Sequence, residues 1–106
     1  MSFTWFRKRD ETDDLFYASG NRLAASRIVL IAALTGAESY RYDQHLFCFI
    51  LSWSWLCNGK KFALTQWFSR REMETTNLSV MAFAERIEHM ALSKWVRFRY
   101  KGEETP

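Results

Sequence analysis

The sequence contains clusters of positively charged residues that could bind an anionic ligand. Arg70 and Arg71 are adjacent, and Arg97, Arg99 and Lys101 recur at every second position. Guanidinium and ammonium groups bind phosphate oxygens through charge-assisted hydrogen bonds. Alternate positions of a strand share one face, so the last three residues are predicted to form a cationic strand face. The pattern predicts contact with a polyanion, and nucleic acid is the leading candidate.

The charge balance of the chain supports this prediction only weakly. The 106 residues carry a net charge of +3. Residues 1–58 hold six basic and six acidic side chains, whereas residues 59–106 hold nine basic and six acidic ones. An excess of this size also suits a solvated cationic edge, which discourages aggregation, or an acidic protein partner. With 48% hydrophobic and 17% aromatic residues, the chain is predicted to fold into a globular structure.

Enzyme and metal chemistry are not predicted. His45 and His89 lack an obvious nucleophile partner, and the sequence has no glycine-rich phosphate loop and no metalloprotease or serine-hydrolase motif. Cys48 and Cys57 lack metal-ligand spacing and are predicted to be buried free thiols in a reducing cytoplasm. We therefore expect no catalytic residues, no metal and no cofactor. No signal peptide and no membrane span are predicted.

A helix is predicted at 22–34, with Asn21 near its start and Gly36 as its stop signal. Its second half is apolar on all sides, so either the domain or a second subunit should cover it. We expect this helix to supply a homodimer contact within an N-terminal extension, 1–44. The remainder, 45–106, is predicted to be a separate domain.

The segment 45–57 fits two secondary structures. As a helix it presents an apolar stripe, and its length is ordinary for a helix but long for a strand. As a strand it leads into Asn58 and Gly59, a strong hairpin signal, and would give an α+β domain with a hairpin at 46–68. The helix is favoured. The stripe consists of Leu46, Phe49, Ile50, Trp53, Leu56 and Cys57.

The sequence of the C-terminal third predicts two helices followed by a strand. Ser69 and Glu72 form a capping box at the first helix start, and Ser79 is a suitable N-cap for the second. At 95–101 the apolar residues recur at every second position, and this spacing predicts a strand. The inward positions of the two helices are predicted to be Met73, Phe83, Ile87 and Met90.

This order resembles the winged helix-turn-helix domains of bacterial transcription regulators and replication initiators. The resemblance covers about 45–102 and rests on the patterns S-R-R-E-M, N-L-S, F-x-x-x-I-x-x-M and W-V-R-F-R-Y. It implies a mainly helical fold with a small β wing. The matched elements are a first helix (45–57), a first strand (62–64), a second helix (69–75), a recognition helix (79–91) and a wing strand (95–101).

The resemblance implies a small, dimeric regulator that binds duplex DNA through a basic wing and a helix start. The outward face of the recognition helix is poor in the side chains that read bases, so modest sequence specificity is expected. The predicted DNA-binding residues are Arg70, Arg71, Ser79, Arg86, Arg97, Arg99 and Lys101.

A second hypothesis assigns the chain to another class, a protein-interaction module or inhibitor that does not bind DNA. Its motivation is the exposed apolar face expected at Val80, Met81 and Ala84, together with the high aromatic content. The sequence does not identify the protein partner.

Overall fold

Helices and strands alternate in blocks along the part of the chain that the structure describes. This computed structural model describes residues 11–57 and 59–104, with side chains for 12–56 and 59–95. The described chain forms a small α+β domain with four helices and a three-stranded antiparallel sheet. The first ten residues of the predicted N-terminal extension lie outside it. The elements are α1 (Glu11–Ser19), α2 (Arg22–Thr35), β1 (Ser39–Asp43), β2 (Cys48–Cys57), β3 (Lys60–Ser69), α3 (Arg70–Thr75) and α4 (Val80–Glu104).

Helix α2 begins and ends where its capping residues predict. The side chain of Asn21 accepts a hydrogen bond from the Ala24 N–H at 2.8 Å. Gly36 adopts a left-handed conformation with φ of 71°, and its N–H donates to the Ala32 carbonyl. A left-handed C-terminal residue favours glycine, because a Cβ atom is strained there. The helix predicted at 22–34 is therefore confirmed.

The three strands form a meander in the order β1-β2-β3. Trp53 of β2 lies opposite Leu64 of β3, and both side chains are buried. The hydroxyl groups of Ser52 and Thr65, one position along each strand, lie 3.4 Å apart and are exposed. One face of the sheet is thus apolar and the other largely polar, as expected when only one face packs on helices.

The helix predicted at 45–57 is wrong, and the alternative hairpin at 46–68 matches the observed pairing of β2 with β3. Burial alternates from Leu51 to Ser54 of β2, where Leu51 and Trp53 are buried while Ser52 and Ser54 are only partly covered. A helix would instead have buried residues spaced three and four positions apart, in one continuous stripe, and not every second residue. The predicted domain division between 44 and 45 falls in the β1–β2 connection, inside this sheet.

The two C-terminal helix starts are capped as predicted. Ser69 Oγ accepts a hydrogen bond from the Glu72 N–H at 3.0 Å, and Ser79 Oγ accepts one from the Ala82 N–H at 3.1 Å. Helix α4 then continues to Glu104.

The wing strand predicted at 95–101 is wrong, because these residues belong to α4. No glycine or proline occurs between Val80 and Lys101, so nothing in the sequence stops the helix there. The first helix and the wing strand of the winged-helix mapping therefore both have other secondary structure.

The core lies between the apolar face of the sheet and the helices. Its most buried large side chains are Ile28, Ile31, Phe49, Leu51, Trp53, Met73, Phe83 and Ile87. They include the predicted inward residues Met73, Phe83 and Ile87, and Met90 packs against them while partly exposed. The rings of Phe68 and Phe83 meet edge to face, with centroids 5.8 Å apart. None of the described helices is both long and apolar enough to span a membrane.

Candidate functional site

An apolar groove opens between the end of α2, the hairpin of β2 and β3, and the middle of α4. Its volume is about 410 Å³. Its apolar lining includes Trp55 and Phe62 from the hairpin and Ile87, Ala91 and Trp95 from α4. The rings of the two hairpin aromatics pack together, with centroids 5.2 Å apart. Aromatic side chains in a concave apolar surface are typical of the centres of protein interfaces.

Three leucines border the groove and remain strongly exposed. Leu34 is 53% exposed, Leu56 78% and Leu92 59%. Each comes from a different element, so the folded chain gathers them although they are far apart in sequence. Single exposed leucines are common on protein surfaces, but a contiguous apolar patch marks a binding site. These three leucines and the groove form the candidate functional site.

The local sequence explains why the leucines are exposed. Leu34 lies in the last turn of α2, beyond its buried stripe of Ala24, Ile28 and Ile31. Leu56 lies near the end of β2, directly opposite Lys61 in the register. Helix α2 was expected to be covered on most sides, yet Leu23 and Leu30 are also about half exposed.

Glu88 is the charged residue in the lining of the groove. Lys61, the cross-strand neighbour of Leu56, is not part of the lining. On the α4 wall, Glu88 lies one turn before Leu92 and lines the groove. Both charged residues are exposed. The groove therefore has an apolar floor and one acidic side chain on its α4 wall.

Arg70, a predicted phosphate ligand, is engaged within the fold. Its guanidinium donates a hydrogen bond to the Ser19 carbonyl at 3.0 Å, and its Nε lies 2.8 Å from the Glu74 carboxylate. Its neighbour Arg71 is exposed. The structure thus leaves Arg71 at the surface and assigns Arg70 to holding α1 against α3.

The exposed cations of the hairpin and of α3 do not form one patch. Lys60 begins β3 and Arg71 follows its end, so the strand separates them by about 30 Å. Ser79 caps α4, and Arg86 lies over the Phe83 ring at 5.3 Å. The folded chain disperses charges that the sequence suggested would lie together.

Arg97, Arg99 and Lys101 lie in the C-terminal turns of α4, and their side chains fall outside the described ones. Helical geometry places Arg97 and Lys101 one turn apart, with Arg99 about 200° around the axis from Arg97. The alternation that predicted one cationic strand face therefore gives positions on different sides of a helix.

The predicted protein-interaction face at Val80, Met81 and Ala84 is only partly at the surface. Met81 is 57% exposed, whereas Ala84 is 6% exposed and lies in the core. Val80 is partly buried and packs against the core cluster. The sequence does not predict the larger apolar surface at the groove, because a helix at 45–57 would place Leu56 in its inward stripe.

Other polar chemistry within the described residues is sparse. No cluster of three histidine, cysteine or acidic side chains among them could hold a metal. Cys48 is a free thiol, partly rather than fully buried.

The N–H groups of Leu46 and His45 donate to the Asp43 carboxylate, and the nearby Arg41 guanidinium also favours its negative charge. Together these groups lower the pKa of Asp43, although desolvation opposes them. This arrangement stabilises a turn and offers no catalytic pair.

Comparison with known proteins adds no family to this description. No protein-family model, curated protein or solved structure matches the chain.

Proposed function

We propose that the chain is a protein-interaction module that binds its partner through the apolar groove. The observation that carries the proposal is the convergence of exposed Leu34, Leu56 and Leu92 around a floor containing two tryptophans. Binding surfaces concentrate their energy in a few well-packed anchors, among which tryptophan is enriched. This function belongs to the same class as the second sequence hypothesis, but it uses another surface.

Burial of the leucines supplies a useful part of the binding energy. Complete burial of one leucine stabilises by about 1.5–3 kcal/mol, so covering the exposed fractions of these three gives about 3–6 kcal/mol. Association costs oppose this gain, and packing against Trp55 and Trp95 must supply the remainder. A partner with complementary apolar side chains is therefore expected, rather than a highly charged polymer.

Site-specific photocrosslinking in the native host tests the proposal. A photoreactive phenylalanine analogue replaces Leu56 in the groove or, as a control, Trp67, which is 54% exposed at the other end of the same hairpin, opposite Ile50. We expect a discrete protein adduct from position 56 that disappears when Leu92→Asp is added, and none of this adduct from position 67. Equal adducts from both positions, or none from position 56, would overturn the proposal.

DNA binding is a second candidate function, favoured by the one-turn spacing of Arg97 and Lys101 on a 25-residue helix. Fluorescence anisotropy with a labelled mixed-sequence duplex tests it. If DNA is the ligand, Arg97→Glu combined with Arg99→Glu weakens binding without unfolding, and affinity falls steeply with salt. Binding that is unaffected by both changes, or absent at low salt, removes this candidate.

A further inference from the structure

We infer that the free edge of β3 binds an extended peptide that carries an acidic side chain. A second cavity, of about 320 Å³, lies beside this edge, between β3 and α4. The edge cavity and the apolar groove have no described lining residue in common, so binding here is independent of the proposed function. The edge cavity is lined by Leu64 and Gln66 from β3 and by His89, Met90, Ser93 and Lys94 from α4.

Strand β3 lies at the edge of the described sheet, where it pairs only with β2. The Arg70 N–H donates to the Phe47 carbonyl at 2.9 Å, which extends by one position the register that pairs Ser69 with Cys48. Hydrogen-bonded pairs recur at every second residue of an antiparallel ladder, so the even-numbered residues of β3 bond to β2. The main-chain N–H and carbonyl groups that point away from β2 are therefore those of Lys61, Ala63, Thr65 and Trp67.

Two of these outward carbonyls accept hydrogen bonds from side chains. Lys94 Nζ donates to the Ala63 carbonyl, and Gln66 Nε2 donates to the Thr65 carbonyl at 3.0 Å. Both side chains also line the edge cavity, so the cavity opens directly on the free edge. Side chains at such an edge discourage pairing with other strands, and a ligand that replaces their hydrogen bonds can displace them.

An added peptide strand fits both the edge and the cavity. In strand addition the main chain of the edge supplies affinity, and pockets for alternate side chains supply specificity. The outward groups of β3 recur at every second residue, about 7 Å apart, which is the repeat of any peptide strand. Alternate side chains of the added strand lie on the helix side of the sheet, as Leu64 and Gln66 do, so one of them enters the edge cavity.

The charges around the edge cavity select an acidic side chain. The described lining contains a lysine and a histidine but no acidic residue, since Glu85 and Glu88 lie outside it. Arg86 is exposed on the same face of α4. A carboxylate in the cavity attracts the Lys94 ammonium more strongly than the neutral Ala63 carbonyl does. The released carbonyl then accepts an N–H from the peptide.

Fluorescence anisotropy with labelled synthetic heptapeptides and the full chain tests this binding. The peptides are blocked at both ends, alternate valine with threonine, and carry either glutamate or glutamine at the central position. We expect the glutamate peptide to bind at least about tenfold more tightly, because only a carboxylate attracts Lys94. Lys94→Met should reduce this preference to less than about twofold.

Matched controls separate strand addition from other modes of binding. Lys61→Met should keep the preference for glutamate, because Lys61 lies on the same strand but outside the cavity lining. Methylation of single peptide N–H groups should abolish binding at every second position, where the N–H faces β3, and change it less than about threefold at the positions between. Circular dichroism identifies any variant that fails to fold.

Equal affinity for the glutamate and glutamine peptides would overturn the acidic ligand, and a methylation series without this alternation would overturn strand addition. Absence of binding by either peptide at concentrations up to about 1 mM overturns both. Leu92→Asp alters the groove and should leave peptide binding unchanged. The adduct at position 56 therefore tests the proposed function separately.

Discussion

The guanidinium of Arg70 donates a hydrogen bond to the main-chain carbonyl of Ser19 at 3.0 Å, although 51 positions separate the two residues. Ser19 is the last residue of α1 and Arg70 the first of α3. A carbonyl at a helix C-terminus has no partner within its helix, so this contact satisfies a group that would otherwise need water. Glu74 fixes the guanidinium from the other side at 2.8 Å. Arg70 is therefore a structural residue.

Arg70→Ala should lower the free energy of unfolding by about 1–3 kcal/mol, because it removes a charged hydrogen bond from a partly buried carbonyl. Urea unfolding followed by circular dichroism measures the change. Arg71→Ala is the matched control, since its neighbouring side chain is exposed, and it should stay within about 0.5 kcal/mol of wild type. Equal effects of the two variants would show that Arg70 does not hold α1 to α3.

The sequence predicts helix ends well where a side chain caps the backbone locally. Asn21, Ser69 and Ser79 were all identified as helix-start residues, and each accepts the expected backbone N–H. Gly36 was identified as the stop of α2 and has the left-handed φ that glycine favours. These features depend on residues within four positions of one another, so a single sequence contains the information they need.

Segments decided by distant partners were predicted less well. At 45–57 the apolar residues fit both a helical stripe and a strand, and pairing with β3 selects the strand. At 95–101 the alternation suggested a strand, but no partner strand follows among the described residues, and the uninterrupted α4 includes the segment. The groove depends on both outcomes. Leu56 lines it only when 45–57 belongs to a hairpin, and Trp95 lines it as part of α4.

Thr35→Val should lower the free energy of unfolding by about 1–3 kcal/mol, because the buried indole N–H of Trp53 loses its acceptor. That N–H donates to Thr35 Oγ at 2.9 Å, and Trp53 is 1% exposed. Thr35→Ser keeps the hydroxyl and should retain most of the stability. Thermal unfolding of the two variants checks this prediction, and a Val variant as stable as the Ser variant would contradict it.

Phe47→Asn should stabilise the protein by about 0.5–1 kcal/mol. Phe47 has a φ of 53° in the β1–β2 connection, a left-handed conformation that is unfavourable for a large side chain and better tolerated by asparagine. Its ring is 60% exposed, so little burial is lost, and its carbonyl keeps the hydrogen bond from the Arg70 N–H. Leu46→Asn is the control in the same turn. A rise in melting temperature for Phe47→Asn alone is the expected result.

The acid dependence of stability should include a contribution from Asp43. Backbone N–H groups of Leu46 and His45 and the Arg41 guanidinium lower the pKa of its carboxyl in the folded state. A lowered folded pKa means that the stabilisation is fully present above the unfolded pKa and is lost as the pH falls through the folded one. Asp43→Asn should therefore flatten the stability profile between the ordinary carboxyl range and the lower pH at which folded Asp43 protonates.

Nuclear magnetic resonance titration measures the protonation of the Asp43 carboxyl directly. The carboxyl carbon of Asp43 should titrate below the usual aspartate range, and the amide protons of His45 and Leu46 should shift with the same midpoint. The shared midpoint is expected because these two N–H groups donate to Asp43 Oδ1, at 2.9 and 3.1 Å. Protonation removes the negative charge that makes both hydrogen bonds strong. An ordinary midpoint for the carboxyl, or amides that do not follow it, would show that the turn does not hold Asp43 in its charged form.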